Sequence, residues 1–153
     1  MDLTASMEAP CPPEELFAWV DDLARYPSWL GIVERAVALP AAGGDAVGRE
    51  ADAPTWSVDL RGRLGPFARS KRLRMVRTEL VEPSLAVFER RETDGRHHSH
   101  WMLRAEVSRR PAGSALLMRL HYGGGLWGPV LERLLSEEVE RGRDRLLGLV
   151  SAT

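Results

Sequence analysis

The stretch that follows a triple glycine near the C-terminus constrains the fold of this chain most. Gly123, Gly124 and Gly125 tolerate backbone angles that other residues avoid, and Pro129 suits the first turn of a helix. Apolar residues then recur every three or four positions, at Val130, Leu131, Leu134, Leu135, Val139, Leu146, Leu149 and Val150. This spacing predicts a helix of about 20 residues with one buried face. Such a helix needs a broad apolar surface, which the preceding chain must supply.

Alternation of apolar and polar residues predicts strands through most of that preceding chain. The predicted strands are Asp2–Ala9, Ile32–Leu39, Val47–Ala53, Trp56–Leu64, Arg69–Glu82, Leu85–Thr93, His100–Arg109 and Leu116–Tyr122. We interpret the blurred alternation at Val76–Leu80 as a bulge or bend, and Gly62 as a candidate bulge. Asp94-Gly95 favours a hairpin turn between two strands.

Two short helices are predicted between the first two strands. Pro13, Glu14 and Glu15 favour a helix start, since carboxylates stabilise the positive end of the helix dipole. A second turn follows around Asp22–Tyr26, and Trp29 is expected to pack against the core. Strands that are segregated from helices predict an α+β fold. We expect a curved antiparallel sheet of about six or seven strands wrapped around the C-terminal helix.

Length and charge limit the classes of function. A chain of 153 residues is expected to form a single domain over residues 1–153. Its 21 basic and 22 acidic residues argue against nucleic acid or an anionic membrane surface as a partner. No apolar run approaches the roughly 18 residues of a membrane span, so no stable membrane insertion is expected. The absence of a secretory signal pattern and the lone Cys11 favour the cytoplasm.

Apolar side chains on the inner faces of the strands and on the helix are candidates for a small-molecule site, because such sites are usually apolar with a few polar groups. The candidates are Trp56, Val58, Leu60, Leu73, Met75, Phe88, Trp101, Leu103, Met118, Leu120, Tyr122, Leu131 and Leu135. The alternative is that they fill a solid core. Tyr122 is expected to place its hydroxyl at the mouth of the site, since a buried tyrosine needs a hydrogen-bond partner.

Arg90 is the sharpest candidate for a charged ligand contact. If Phe88 points inward, the period of the strand also points Arg90 inward. A buried arginine needs an anionic partner, for which a ligand carboxylate or enolate is a candidate.

Other motifs are assigned to the surface. His97, His98 and His100 lack the ligand set of a metal site, and we expect His98 and His100 to face solvent, opposite to Trp101. The basic run is interpreted as the solvated face of two strands, since aromatics do not interleave with it; it comprises Arg61, Arg63, Arg69, Lys71, Arg72, Arg74 and Arg77. The glycines at 123–125 lack the lysine and hydroxyl of a phosphate loop. No cofactor, metal or catalytic residue is therefore assigned.

Three segments resemble the START-related helix-grip superfamily (SRPBCC), which includes a polyketide cyclase/dehydrase and lipid-transport-like branch. They are Pro12–Val20, Leu23–Trp29 with its Tyr26-Pro27-Ser28-Trp29 sequence, and the terminal helix from Leu126. The resemblance covers essentially the whole chain. It implies a cavity between the concave sheet and the C-terminal helix, which in this superfamily often holds lipids, sterols or polyketides. It implies no shared catalytic motif.

Three functions follow as hypotheses. The first is binding or transport of a small apolar ligand, such as a lipid, a polyketide or another aromatic or isoprenoid molecule. The second is a polyketide cyclase or aromatase, in which Arg90 or Tyr122 would stabilise enolate charge on a poly-β-keto chain. The third is a protein-interaction module that uses the exposed face of the long helix. A homodimer is compatible with each of them.

Overall fold

The computed structural model describes residues 1–40, 53–64, 67–124 and 128–150, with the side chains of 62–70 and 128–131 outside the described part. The strands are β1 (Asp2–Ala9), β2 (Val33–Ala38), β3 (Thr55–Leu64), β4 (Phe67–Val81), β5 (Leu85–Arg90), β6 (Trp101–Arg110) and β7 (Gly113–Tyr122). The helices are α1 (Pro13–Ala18) and α2 (Gly128–Leu149), and a 3-10 helix spans Leu23–Ser28.

The seven strands form one antiparallel sheet in the order β1-β7-β6-β5-β4-β3-β2. From β2 onward each strand pairs with the next one in sequence, and β1 closes the order by pairing with β7. The sheet curls into a half-barrel whose concave side receives α2, which packs against β1. The predicted α+β fold is confirmed, together with the two short helical segments that follow the first strand.

Two features were predicted for the β4–β5–β6 region, a bulge in β4 and a hairpin turn between β5 and β6. The register between β4 and β5 shifts between Arg77 and Glu79, which confirms the bulge predicted at Val76–Leu80. The tight hairpin predicted at Asp94-Gly95 was wrong in length, because β5 ends at Arg90 and the connection runs from Arg91 to His100. The side chain of Glu92 accepts hydrogen bonds from the Arg74 N–H and from Arg90. The Arg74 N–H is therefore bonded to a side chain and not to the backbone of the neighbouring strand, which ends the β4–β5 pairing here.

Two further expectations concern β3 and its surroundings. Gly62 pairs with Arg69 in a continuous register, so the bulge suggested there was wrong. An irregularity that the alternation did not reveal lies between β2 and β3, at Val33 and Arg35. The strand expected at Val47–Ala53 falls on residues 47–52, which lie outside the described residues, and on Ala53, which precedes the start of β3 at Thr55.

The 3-10 helix is tied to the sheet by aromatic side chains. Asp22 caps it by accepting a 2.9 Å hydrogen bond from the Ala24 N–H, and also accepts one from Trp56 Nε1 at 3.1 Å. Tyr26 is fully buried and its hydroxyl donates to the Val20 carbonyl at 2.9 Å. The helix therefore forms a fixed wall over the concave face of the sheet.

The C-terminal helix buries a narrower stripe than its sequence predicted. Leu135, Leu146 and Val150 are buried, whereas Leu149, expected on the same face, is 40% exposed. Leu146 and Val150 already occupy this end of the stripe at i, i+4 spacing, which turns Leu149 outward. Gly142 lies so close to the 3-10 helix that a Cβ atom there would be 2.9 Å from the Trp29 carbonyl oxygen. In the described ranges, no helix has both the length and the hydropathy needed to cross a membrane.

Gly113 begins β7 in a conformation that favours glycine. Its φ is +151°, and a Cβ atom would overlap the carbonyl oxygen of Ala9 and lie 2.9 Å from the Cys11 nitrogen. We expect Gly113→Ala to lower the free energy of unfolding by about 2–3 kcal/mol, because both contacts are to backbone that cannot turn aside. Urea denaturation measures the change. Gly148→Ala is the matched control: nothing lies within 4 Å of its added methyl group, and on a helix it should stabilise by about 0.5–1 kcal/mol. Equal behaviour of the two variants would contradict the prediction.

Candidate functional site

A cavity of about 100 Å³ lies between the concave face of the sheet, the 3-10 helix and α2. Its walls come from β1, β2, β3, β4, β6, β7, the segment around the 3-10 helix, and α2. The lining residues are Leu3, Ala5, Leu23, Tyr26, Trp29, Leu30, Ile32, Val33, Val58, Leu60, Leu73, Met75, Trp101, Leu103, Met118, Leu120, Leu135 and Val139. In the part of the chain that is described, the exposed surface of this cavity is entirely apolar. The arrangement suits the enclosure of an apolar molecule.

Most of the predicted ligand-binding residues lie together in this cavity. The predicted residues that line it are Val58, Leu60, Leu73, Met75, Trp101, Leu103, Met118, Leu120 and Leu135. Trp56 and Phe88 are buried on the same side of the sheet but pack beneath the 3-10 helix, with Phe88 6.3 Å from Tyr26 and 5.6 Å from Trp56 between ring centres. The side chain of Leu131 lies outside the described part.

Several lining residues were not among the predicted ones. They are Leu3, Ala5, Leu23, Tyr26, Trp29, Leu30, Ile32, Val33 and Val139. The alternation of β1 already pointed Leu3 and Ala5 inward, and the helical stripe contained Val139, so these three could have been found. Val33 belongs to β2, whose alternation was also predicted. The segment from Leu23 to Leu30 has no regular period, and its inward residues depend on how the 3-10 helix lies on the sheet.

The only ionisable side chain among the lining residues that are described belongs to Tyr26. Burial, followed by the negative charges of Asp21 and Asp22, raises the pKa of Tyr26 well above its ordinary value of 10.0. Its hydroxyl already donates to the Val20 carbonyl. Tyr26 is therefore unsuited to exchange protons with a ligand at neutral pH.

Trp101 forms part of the cavity wall, although its indole nitrogen adds nothing to the exposed surface of the cavity. The residue is 5% exposed, and its ring packs on Tyr122 with 4.5 Å between ring centres. Among the described residues, its Nε1 is the one buried side-chain nitrogen or oxygen without a hydrogen-bond partner. The Tyr122 side chain lies beside this wall and does not line the cavity; its hydroxyl lies against Gly124. Lys71 and Tyr122 lie next to Trp101 without lining the cavity, and we refer to these three residues below as the basic end of the cavity.

Lys71 corrects the interpretation of the basic run as a solvated face. It pairs with Leu60 and alternates with Leu73 and Met75, so it lies on the inner face of β4 and is half-buried. Its Nζ lies 5.9 Å from the centre of the Trp101 ring and 5.7 Å from that of Tyr122. Burial, followed by the positive charge of Arg90, lowers the pKa of Lys71. The signal for this orientation in the sequence was that Lys71 shares the two-residue period of Leu73 and Met75.

Arg77 is a second member of the basic run that does not lie on the predicted solvated face. Its Nη1 donates to the Asp21 carbonyl at 2.9 Å, and its guanidinium lies 6.0 Å from the centre of the Trp56 ring. Arg61 and Arg72 do lie at the surface, paired with Glu34 and Asp59. Of the run, therefore, Lys71 and Arg77 are the members whose described side chains contact the aromatic interior.

Arg90 points inward, as the period of its strand predicted, and its side chain is 7% exposed. It does not line the cavity. Its Nε donates to Glu92 Oε1 at 2.9 Å, and the same oxygen accepts the Arg74 N–H at 2.9 Å. Nη1 donates to the Ser99 carbonyl at 3.4 Å, and Nη2 lies 3.3 Å from His98 Nδ1. The anionic partner that a buried arginine needs is thus present within the chain.

Glu92 and His98 complete this charged network. Burial acts to raise the pKa of Glu92, but the hydrogen bonds from the Arg74 N–H and from Arg90, with the nearby positive charges, outweigh it and the pKa is lowered. His98 is half-buried, with its Nε2 2.8 Å from Asp94 Oδ2, so the expectation that it simply faces solvent was wrong. His100, which is exposed, lies 3.6 Å from Glu89. Across the described residues, no three potential metal-binding side chains converge.

Known proteins of the same architecture are found by comparison. A START superfamily protein from Mycobacterium smegmatis superposes with a TM-score of 0.67 at 16% identity, covering 96% of this chain and 94% of that one. A protein from Thermus thermophilus gives 0.66 at 17% identity, covering 99% and 100%. BexL, a di-domain ARO/CYC protein from the BE-7585A biosynthetic pathway, gives 0.69 at 12% identity over 100% of this chain and 50% of BexL. These similarities show the shared fold. No curated protein matches the chain.

The sequence itself matches a family model over nearly its full length. The model is described as "Polyketide cyclase / dehydrase and lipid transport", and it matches residues 1–150. The predicted resemblance is thereby confirmed: the fold is shared with a START superfamily protein, and the sequence matches the polyketide cyclase/dehydrase branch. The chain belongs to the polyketide cyclase/dehydrase and lipid transport family.

Proposed function

We propose that this protein binds a small apolar ligand in the cavity between its sheet and α2, and carries it. The observation that carries the proposal is the cavity itself, whose exposed surface in the described part of the chain is entirely apolar. Binding of an apolar molecule against such a surface is favourable, because it removes apolar area from water. The proposal places the protein in the cytoplasm, which the single cysteine favours.

The size of the cavity bears on the ligand. At about 100 Å³ it is smaller than the roughly 300–1,000 Å³ of typical ligand pockets. A ligand of ordinary size therefore requires that a wall move outward. The contacts of α2 with β1 and with Trp29 are the ones such a movement would change.

Native mass spectrometry of the freshly purified protein tests the proposal most directly. We expect a bound mass that is lost on extraction with an organic solvent, and a protein that then takes up a neutral apolar probe such as decanol. A protein that carries no ligand and takes up no apolar probe would contradict the proposal.

Ala5 offers a variant that reduces the cavity without touching the rest of the fold. Ala5 lines the cavity from β1, whereas its neighbour Thr4 points to the exposed face of the same strand. We expect Ala5→Leu to weaken decanol binding by about ten- to a hundredfold. Overpacking of an apolar site costs about 1–3 kcal/mol, which here is subtracted from the binding free energy of the ligand. Thr4→Leu adds the same side chain outside and should leave the affinity unchanged. Calorimetric titration measures both, and an unchanged affinity in Ala5→Leu would argue against this cavity as the site.

A polyketide cyclase is the second candidate, favoured by the family to which the chain belongs and by the similarity to BexL. In that function Arg90 or Tyr122 would stabilise enolate charge on a poly-β-keto chain. The reaction also needs a base beside the ligand. The described lining offers Tyr26 alone, and its raised pKa makes it a poor base. This absence of a base among the described lining residues is why we place binding first.

A further inference from the structure

In the described part of the chain, two neighbouring polar groups at the basic end of the cavity have no hydrogen-bond acceptor or carboxylate as a partner. The first is the Trp101 indole N–H, which is buried and has no acceptor among the described residues. Trp101 itself forms part of the cavity wall. Buried indole N–H groups usually find a hydrogen-bond acceptor, so this N–H, in a residue of the cavity wall, is a donor for which a ligand can supply the acceptor.

The second group is the ammonium of Lys71. It stands over the Trp101 and Tyr122 rings, at 5.9 Å and 5.7 Å from their centres. Within the described part of the chain, no carboxylate pairs with it, and the one charge that perturbs its pKa is the positive charge of Arg90. Arg90 is already paired with Glu92. Among the described residues, this half-buried ammonium therefore has aromatic rings beside it but no anion to balance its charge.

We propose that the ligand is amphipathic and carries a carboxylate, which binds at the basic end while the apolar part of the ligand fills the cavity. This inference rests on the proposed binding function and adds the chemistry of one end of the ligand. The Lys71 ammonium pairs with the carboxylate, and the Trp101 N–H donates a hydrogen bond to it. Charge-assisted hydrogen bonds of this kind are the stronger ones in proteins.

The position of the two groups relative to the cavity supports this orientation. Lys71 is two residues from Leu73 on β4 and opposite Leu60 on β3, and both leucines line the cavity. A ligand that extends beyond the small cavity in this direction therefore meets the ammonium directly. One ammonium and one N–H match the two oxygens of a carboxylate, whereas a phosphate dianion offers more acceptors than the pair can satisfy.

The test compares decanoate with decanol, which share an apolar chain and differ in the head group. Binding of each to the delipidated protein is measured by calorimetric titration at pH 8, where decanoate is ionised. An apolar cavity without a counter-charge binds decanol more tightly, because burial of an unpaired carboxylate is unfavourable. We expect the opposite, a preference for decanoate of about tenfold, the order that a hydrogen bond to a charged group provides.

Lys71→Met tests the group responsible, with Arg72→Met as its matched control. Arg72 is the next residue of β4, lies on the outer face and pairs there with Asp59. We expect Lys71→Met to bind decanoate about ten- to a hundredfold more weakly while its affinity for decanol is unchanged. Arg72→Met should retain the preference for decanoate.

The outcomes separate this inference from the function on which it rests. Decanol binding without a preference for decanoate, or a preference that survives in Lys71→Met, would overturn the carboxylate inference and leave apolar binding intact. Failure of both ligands to bind would overturn both proposals together.

The Trp101 N–H provides a second readout that needs no change to the charged residue. The chain has five tryptophans, and each contributes one indole N–H signal to a heteronuclear NMR spectrum. We expect decanoate to shift the Trp101 signal, identified by its loss in Trp101→Phe, more than the signals of Trp19, Trp29 and Trp56. The indoles of Trp29 and Trp56 already donate to protein oxygens. A Trp101 signal that stays in place when decanoate saturates the protein would contradict the proposed hydrogen bond.

Discussion

Replacing Phe88 by alanine is expected to lower the free energy of unfolding by about 3–5 kcal/mol, the range found for phenylalanines deleted from well-packed cores. Phe88 is fully buried on β5, and its ring meets Trp56 edge-on at 5.6 Å and Tyr26 at 6.3 Å between centres. These rings anchor the 3-10 helix on the sheet. Neither neighbour can relax into the vacated space, since the Tyr26 hydroxyl and the Trp56 indole are both held by hydrogen bonds.

Chemical denaturation followed by far-ultraviolet circular dichroism measures the effect of Phe88→Ala. Val81→Ala is a suitable control, because Val81 lies on the neighbouring strand and is 52% exposed; its expected change is within about 0.5 kcal/mol. A loss below about 1 kcal/mol in Phe88→Ala would mean that the core repacks, contrary to the rigid packing inferred from these hydrogen bonds.

Phe88 also illustrates what a strand period predicts and what it does not. The alternation of β6 and β7 correctly assigned Trp101, Leu103, Met118 and Leu120 to the inner face, where they line the cavity. The same reasoning assigned Phe88 and Trp56 to the inner face, and they lie there. Their position beneath the 3-10 helix, away from the cavity, depends on the tertiary placement of a segment that has no regular period.

Lys71 and Arg90 show the converse difficulty with charged residues. Both lie on the inner face of their strands, but the run that contains Lys71 was assigned to a solvated surface because aromatic residues do not interleave with it. The alternation of Lys71 with Leu73 and Met75 contained the correct orientation. The partner of Arg90 could not be predicted, since Glu92 reaches it only because the chain leaves the β5 ladder after Arg90.

Replacing Glu92 by glutamine is expected to have the second large effect on the free energy of unfolding. The Arg90 side chain is 7% exposed and that of Glu92 19%, and they are joined by a 2.9 Å ion pair. Removing one partner of a buried pair leaves the other charge uncompensated, which costs about 3–5 kcal/mol. We expect Glu92→Gln to fall near 3 kcal/mol, since glutamine can still accept hydrogen bonds from the Arg74 N–H and from Arg90. The exposed Glu79 gives a control, Glu79→Gln, with an expected change within about 0.5 kcal/mol.

The pH dependence of this difference identifies the carboxylate as its source. Because the pKa of Glu92 is lowered in the folded protein, its ionised form stabilises the fold fully above the ordinary value of 4.5. That stabilisation is lost as the pH falls through the lower folded value. The gap between the wild type and Glu92→Gln, measured by urea denaturation, should therefore be constant from pH 7 to about pH 5 and narrow below it. The double variant Arg90→Met with Glu92→Gln should be less destabilised than the sum of the single changes, since no unpaired charge remains. A gap that is independent of pH, together with additive single effects, would show that the pair does not stabilise the fold through its charges.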